Sequence, residues 1–220
     1  MRSEHPGRLR ALRRNGLAAL LAALAMALSA VGSASAQTEY YYIVNSRTEM
    51  MVEIQANSRA PGAPAILWPH SGGASQQFTV ERVVIGNLPD PRPAWFLLRA
   101  LHSGLCLRTD GYRSGAAVRQ AECSADAGQM WRVRTIPKTP SECADPRQCF
   151  PGTRTVLENY FDRGKRCLDA GNATFPAPPR QGTGLMAWDC ITKFSAPNAV
   201  NQEWELVRTR DWGQPGPIVN

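Results

Sequence analysis

Gln202-Glu203-Trp204-Glu205-Leu206-Val207 completes the third copy of one pattern. Gln76-Gln77-Phe78-Thr79-Val80-Glu81 and Gln129-Met130-Trp131-Arg132-Val133-Arg134 repeat it: a glutamine, one variable residue, a large aromatic and a short strand-like tail. Upstream of each ending a second feature recurs, as Met51-Val52-Glu53-Ile54, Cys106-Leu107-Arg108-Thr109 and Cys167-Leu168-Asp169-Ala170. Between the two lies a third, as Leu67-Trp68-Pro69-His70, Gln120-Ala121-Glu122-Cys123 and Ala187-Trp188-Asp189-Cys190. About ten residues before the second feature stand Tyr41, Phe96 and Leu157, which the pattern assigns to the core with Phe78, Trp131 and Trp204. Four features in one order, three times over, define repeats of about residues 40–83, 95–136 and 153–208.

Around these signposts, short apolar runs such as Tyr41-Tyr42-Ile43-Val44 and Phe96-Leu97-Leu98 are separated by Gly, Pro, Ser and Asn clusters, which predicts an all-β domain over residues 37–208. Residues 137–152 are an insertion between the second and third repeats, and residues 209–220 read as an extended tail. The repeats also organise the cysteines. Cys106 and Cys123 hold the same places as Cys167 and Cys190, so each pair is expected to close an equivalent loop, leaving Cys143 to join Cys149. The first repeat has Met51 and His70 at the bridge positions, where His70 is expected to fill the space of the missing cystine.

Residues 1–36 have the pattern of a secretory leader: Arg2, Arg8, Arg10, Arg13 and Arg14, an Ala/Leu-rich run, then Ala34-Ser35-Ala36. Export to a periplasm or beyond the cell, in a bacterial-type setting, follows as an expectation, and cystines suit that setting. Most of the formal +7 charge and of the basic pI near 9.4 belongs to this leader. No domain-wide basic field remains to favour nucleic acid. Outside the leader no apolar run approaches the ~20 residues of a membrane span.

Repeats ending in Gln-x-Trp or Gln-x-Phe, with a Cys-Leu-Asp to Trp-x-Cys bridge, resemble the ricin-B type β-trefoil lectin family over about residues 40–208. The resemblance implies a pseudo-threefold β-trefoil with one potential sugar pocket per repeat. A sugar site needs an aromatic face for the ring and a carboxylate with amides for the hydroxyls. In the third repeat the resemblance gives Asp169 as carboxylate, Trp188 as stacking platform and Asn201 as amide, with Gln202 in support, while Met186 departs from the family's polar residue. A weaker second site in the first repeat has Glu53, Trp68 and Gln76, with Ser75 in place of the amide. The second repeat has Arg108, Ala121 and Gly128 at the three key positions, and all three roles fail.

The expected function is therefore glycan binding without catalysis. No G-x-S-x-G elbow, phosphate loop, dinucleotide fingerprint or H-E-x-x-H is present. His70 and His102, the latter expected to be exposed in a turn, have no fixed partner set, and neither does the pair Asp162 and Asp169. No metal or other cofactor is expected, since no C-x-x-C pair exists. Two further readings involve protein partners. Solitary trefoils serve as cell-binding subunits of multicomponent toxins of the cytolethal distending type, and Tyr40-Tyr41-Tyr42, Trp95 and Trp212 would then face a catalytic subunit. A protease inhibitor would instead use the insertion with Cys143 and Cys149 as its loop.

Overall fold

Runs of aromatic, β-branched and leucine residues, set off by turn-forming segments, form twelve strands among the described residues. The computed structural model describes residues 38–83, 94–137, 153–161, 165–171, 178–192 and 199–213. Cys143, Cys149 and Asp162 lie outside these, as do the leader (residues 1–36) and most of the 137–152 insertion. The first repeat supplies β1 (Tyr41–Asn45), β2 (Met51–Ile54), β3 (Ala65–Trp68) and β4 (Phe78–Val83). The second supplies β5 (Trp95–Ala100), β6 (Cys106–Thr109), β7 (Ala116–Ala121) and β8 (Trp131–Pro137). The third supplies β9 (Thr153–Asn159), β10 (Arg166–Asp169), β11 (Met186–Asp189) and β12 (Trp204–Arg208). Among the described residues the rest is turn, bend and short 3-10 segments.

The outer strands of each repeat form a barrel. β1 pairs with β4, β4 with β5, β5 with β8 and β8 with β9, while β12 returns to β1 and lies against β9. The inner hairpins β2–β3, β6–β7 and β10–β11 cap it. They meet one another through Pro64↔Arg119, Ile66↔Gly184 and Met186↔Ala117. This is the β-trefoil.

Phe78, Trp131 and Trp204 are fully buried in one central cluster with Ile43, Leu98 and Leu157. Trp131 Nε1 donates to the Leu107 carbonyl at 3.1 Å and Trp204 Nε1 to the Leu168 carbonyl at 2.8 Å, so each aromatic also ties its barrel strand to its own hairpin. Phe78 has no donor to offer. Asn45 and Asn159 are equivalent buried amides that bind carbonyls of a neighbouring repeat, Val200 and Glu203 for one, Gly128 and Met130 for the other. Buried amides spanning two repeats fix their relative register.

Three expectations need correction. Tyr41 is only half-buried: it shares the face of Ile43 but stands at the first residue of β1, where its hydroxyl donates to Glu39. Leu157 does not share a place with Tyr41 and Phe96. The ladders pair Val44 with Met51, Arg99 with Cys106 and Glu158 with Cys167, so the β9–β10 connection is longer and Leu157 corresponds to Ile43 and Leu98. The beginning of the tail is not extended coil: Thr209–Asp211 form a 3-10 turn, and Trp212 packs back on the first repeat.

Candidate functional site

Register places the site residues. On the third hairpin Cys167 faces Trp188 and Asp169 faces Met186 across the ladder, so all four project from one side while Leu168 and Ala187 enter the core. The first hairpin repeats this with Met51 facing Trp68 and Glu53 facing Ile66, and the second with Cys106 facing Ala121 and Arg108 facing Arg119. The Cys106–Cys123 and Cys167–Cys190 disulfides are both formed.

One buried glutamine anchors each hairpin. Gln76, Gln129 and Gln202 are fully buried. Their Oε1 atoms accept from the amides of Ser71, Ser124 and Ile191, and their Nε2 atoms donate to the carbonyls of Pro69, Glu122 and Asp189. The second hydrogen of Nε2 separates the repeats. Gln76 gives it to Glu53 Oε2 and Gln202 to Asp169 Oδ2, both at 2.8 Å. In the second repeat Arg108 stands there instead and approaches Asp126 at 3.5 Å. Gln202 is thus the support of the carboxylate and is too deeply buried to meet a ligand itself.

Asp169 is 5 % exposed, and burial pushes its carboxyl up to about 6, against the smaller opposing effect of the Gln202 hydrogen bond. The Met186 side chain lies across this end of the hairpin, close against Gly171. Asn201 is also buried, and its Oδ1 has no partner among the described residues. Trp188 is 43 % exposed, a large aromatic left open beside two buried polar groups.

The Trp188 platform is braced by the preceding repeat. A Cβ on Gly115 would lie 3.1 Å from the Trp188 ring, and the Gly115 amide donates to the Ala187 carbonyl at 2.8 Å. Ser114 Oγ accepts from the Asp189 amide, and Arg166 joins the Tyr112 carbonyl to the Asp189 carboxylate. Gly182 stands in the same relation to the first repeat, its amide donating to the Leu67 carbonyl near the Trp68 ring, and Gly62 to the second through the Gln120 carbonyl. All three glycines have positive φ, 86°, 88° and 81° in chain order. The signal for them is present in the chain as Gly62-Ala63, Gly115-Ala116 and Gly182-Thr183, one per repeat.

The first repeat opens into a pocket of about 710 Å³ lined by Glu53, Trp68, Ser75 and Arg59 and closed on one side by Leu101 and His102 of the second repeat. Burial raises the Glu53 carboxyl, while the Gln76 hydrogen bond and the nearby His102 lower it. His102 is not exposed as expected. It is 7 % exposed, with Nε2 2.8 Å from the Ser58 carbonyl, because its turn folds over the segment that follows β2. His70 does not fill the place of a cystine either: it lies at the surface, stacked on Trp212 and edge-on to Tyr42. Trp95 is likewise engaged within the molecule, edge-on to Tyr160 with the Arg132 guanidinium over its ring.

No family model and no curated protein matches the chain. Solved structures do. A designed three-fold symmetric protein, ThreeFoil, is 22% identical with a TM-score of 0.52, covering 76% of this chain and 97% of its own. The Rhizoctonia solani agglutinin is 14% identical with a TM-score of 0.52, covering 80% and 99%. The Macrolepiota procera ricin B-like lectin, solved in complex with lactose, is 15% identical with a TM-score of 0.50, covering 78% and 96%. The chain is a β-trefoil, with the fold that these lectins share.

Proposed function

We propose that the protein is an exported, non-catalytic carbohydrate-binding trefoil. The observation that carries this reading is the fate of the three buried glutamines. Where the hairpin has a tryptophan, the glutamine holds a carboxylate beside it, Gln202 with Asp169 and Gln76 with Glu53. Where the tryptophan is replaced by Ala121, the carboxylate is absent too. Stacking surface and hydroxyl acceptor are kept or lost together, as sugar binding requires and core packing does not. The lactose-bound ricin B-like lectin, which shares the fold, supports the same reading.

In the third repeat, the main site in this reading, Trp188 receives the apolar face of a ring while Asp169 and the unpartnered Asn201 Oδ1 accept its hydroxyls. The first repeat offers a second site on Trp68 and Glu53. A toxin-subunit role draws no support from the aromatics once assigned to it, since Trp212, Tyr42 and Trp95 are engaged with neighbours in the same chain. Glycan-array binding by the oxidised protein, set beside Trp188→Ala and Trp68→Ala, tests the proposal. Binding reduced in each variant while the fold persists supports it, and binding untouched by both substitutions refutes it.

A further inference from the structure

The first-repeat pocket carries a cation that the rest of the molecule does not use. Arg99, Arg119 and Arg166 each meet a carboxylate. Arg59 is exposed at the pocket wall and makes no ion pair or hydrogen bond among the described residues. Glu53 is half-buried and engaged by Gln76, and no ion pair joins it to Arg59, so the two charges stand apart in one cavity. His102 adds an independent sign of a missing ligand. The Ser58 carbonyl can only accept, so Nε2 carries the hydrogen, and Nδ1 is buried and without a partner among the described residues. An unpaired buried polar atom is costly, and a ligand hydroxyl, which both donates and accepts, is a partner for it.

The geometry points to a saccharide bearing a carboxylate, a uronic or sialic acid, as the occupant of this pocket. Trp68 stacks the ring, Glu53 and His102 take hydroxyls, and the planar guanidinium of Arg59 pairs with the acid group. This inference rests on the carbohydrate reading of the same pocket. A neutral sugar leaves Arg59 in water at no cost, so the acid preference comes from one charge-assisted contact at an exposed site. Such a contact is worth about tenfold in affinity and weakens with salt.

Calorimetric titration of the disulfide-intact protein with methyl glycosides of glucuronic acid and N-acetylneuraminic acid, each beside its carboxyl-reduced form, tests it. At least one acid is expected to bind about tenfold more tightly than its reduced form. Arg59→Gln should erase that difference, and Trp68→Ala should remove the acid-preferring component of binding, leaving only what the third repeat contributes. Equal affinity for acid and reduced forms, both weakened by Trp68→Ala, would overturn the acid preference and leave the sugar site standing. A preference that survives Arg59→Gln would overturn the role of Arg59. No binding of either form, with an empty glycan array, would overturn the carbohydrate reading itself.

Discussion

Asp169 is the most demanding residue of the third repeat, because a buried carboxylate costs stability when it ionises. Its folded pKa lies near 6 against an ordinary value of 3.8, so between these the folded state holds a proton that the unfolded state has released. Stability therefore falls as pH rises from about 4 to about 6 and stays lower above, by about 3 kcal/mol in total. Asp169→Asn should flatten that slope, which thermal unfolding followed against pH would show. Sugar binding has the opposite sign: the third site needs the ionised acceptor and should weaken below about pH 6. Gly115→Ala acts on the platform instead. With φ at +88° and the Trp188 ring 3.1 Å from the added carbon, it should cost ~1 kcal/mol or more and reduce binding at the third site alone. Asp169, Trp188 and Gln202 are legible in the chain because each holds a fixed place in a repeated pattern. Arg59 and His102 are not, since they reach their pocket from turns whose neighbours only the assembled repeats define.

At the level of elements, the three hairpins are secured in two ways. Cystines close loops of 17 and 23 residues in the second and third repeats, each worth ~3 kcal/mol by chain entropy. The first repeat has Met51 where they have cysteine, buried in a small cluster with Tyr42 and Val44 against which Val207 and Trp212 pack. His70, at the other bridge position, stacks on Trp212 at 5.1 Å. An aromatic clasp from the chain's last described turn thus packs on the hairpin that lacks a cystine. Trp212→Ala should lower stability by about 2 kcal/mol, and by the same amount in reduced and oxidised protein, which paired denaturant curves would establish. The strands, repeats and two cystines follow from spacing in the sequence. The clasp does not, because Trp212 lies outside the repeat, and neither does the longer β9–β10 connection that shifts Leu157 into register with Ile43 and Leu98.

Threefold symmetry sets what the whole molecule can do, and its breaks are as informative as its repeats. Every hairpin retains the buried glutamine and the bracing glycine, since these hold the cap together whether or not a ligand binds. Platform and carboxylate vary, and they are present in two repeats of three. With the two proposed sites, the trefoil would gain its strength on surfaces that present many glycans, where the second contact is intramolecular. Densely coated surfaces should hold the protein far better than a free sugar does, and a variant with one tryptophan removed should lose most of that advantage. The most direct measurement is binding of the disulfide-intact protein to a glycan array as wild type, Trp188→Ala, Trp68→Ala and the double variant. Partial loss is expected in each single variant and complete loss in the double variant, all with native thermal unfolding. Full binding by a folded double variant would contradict the carbohydrate reading.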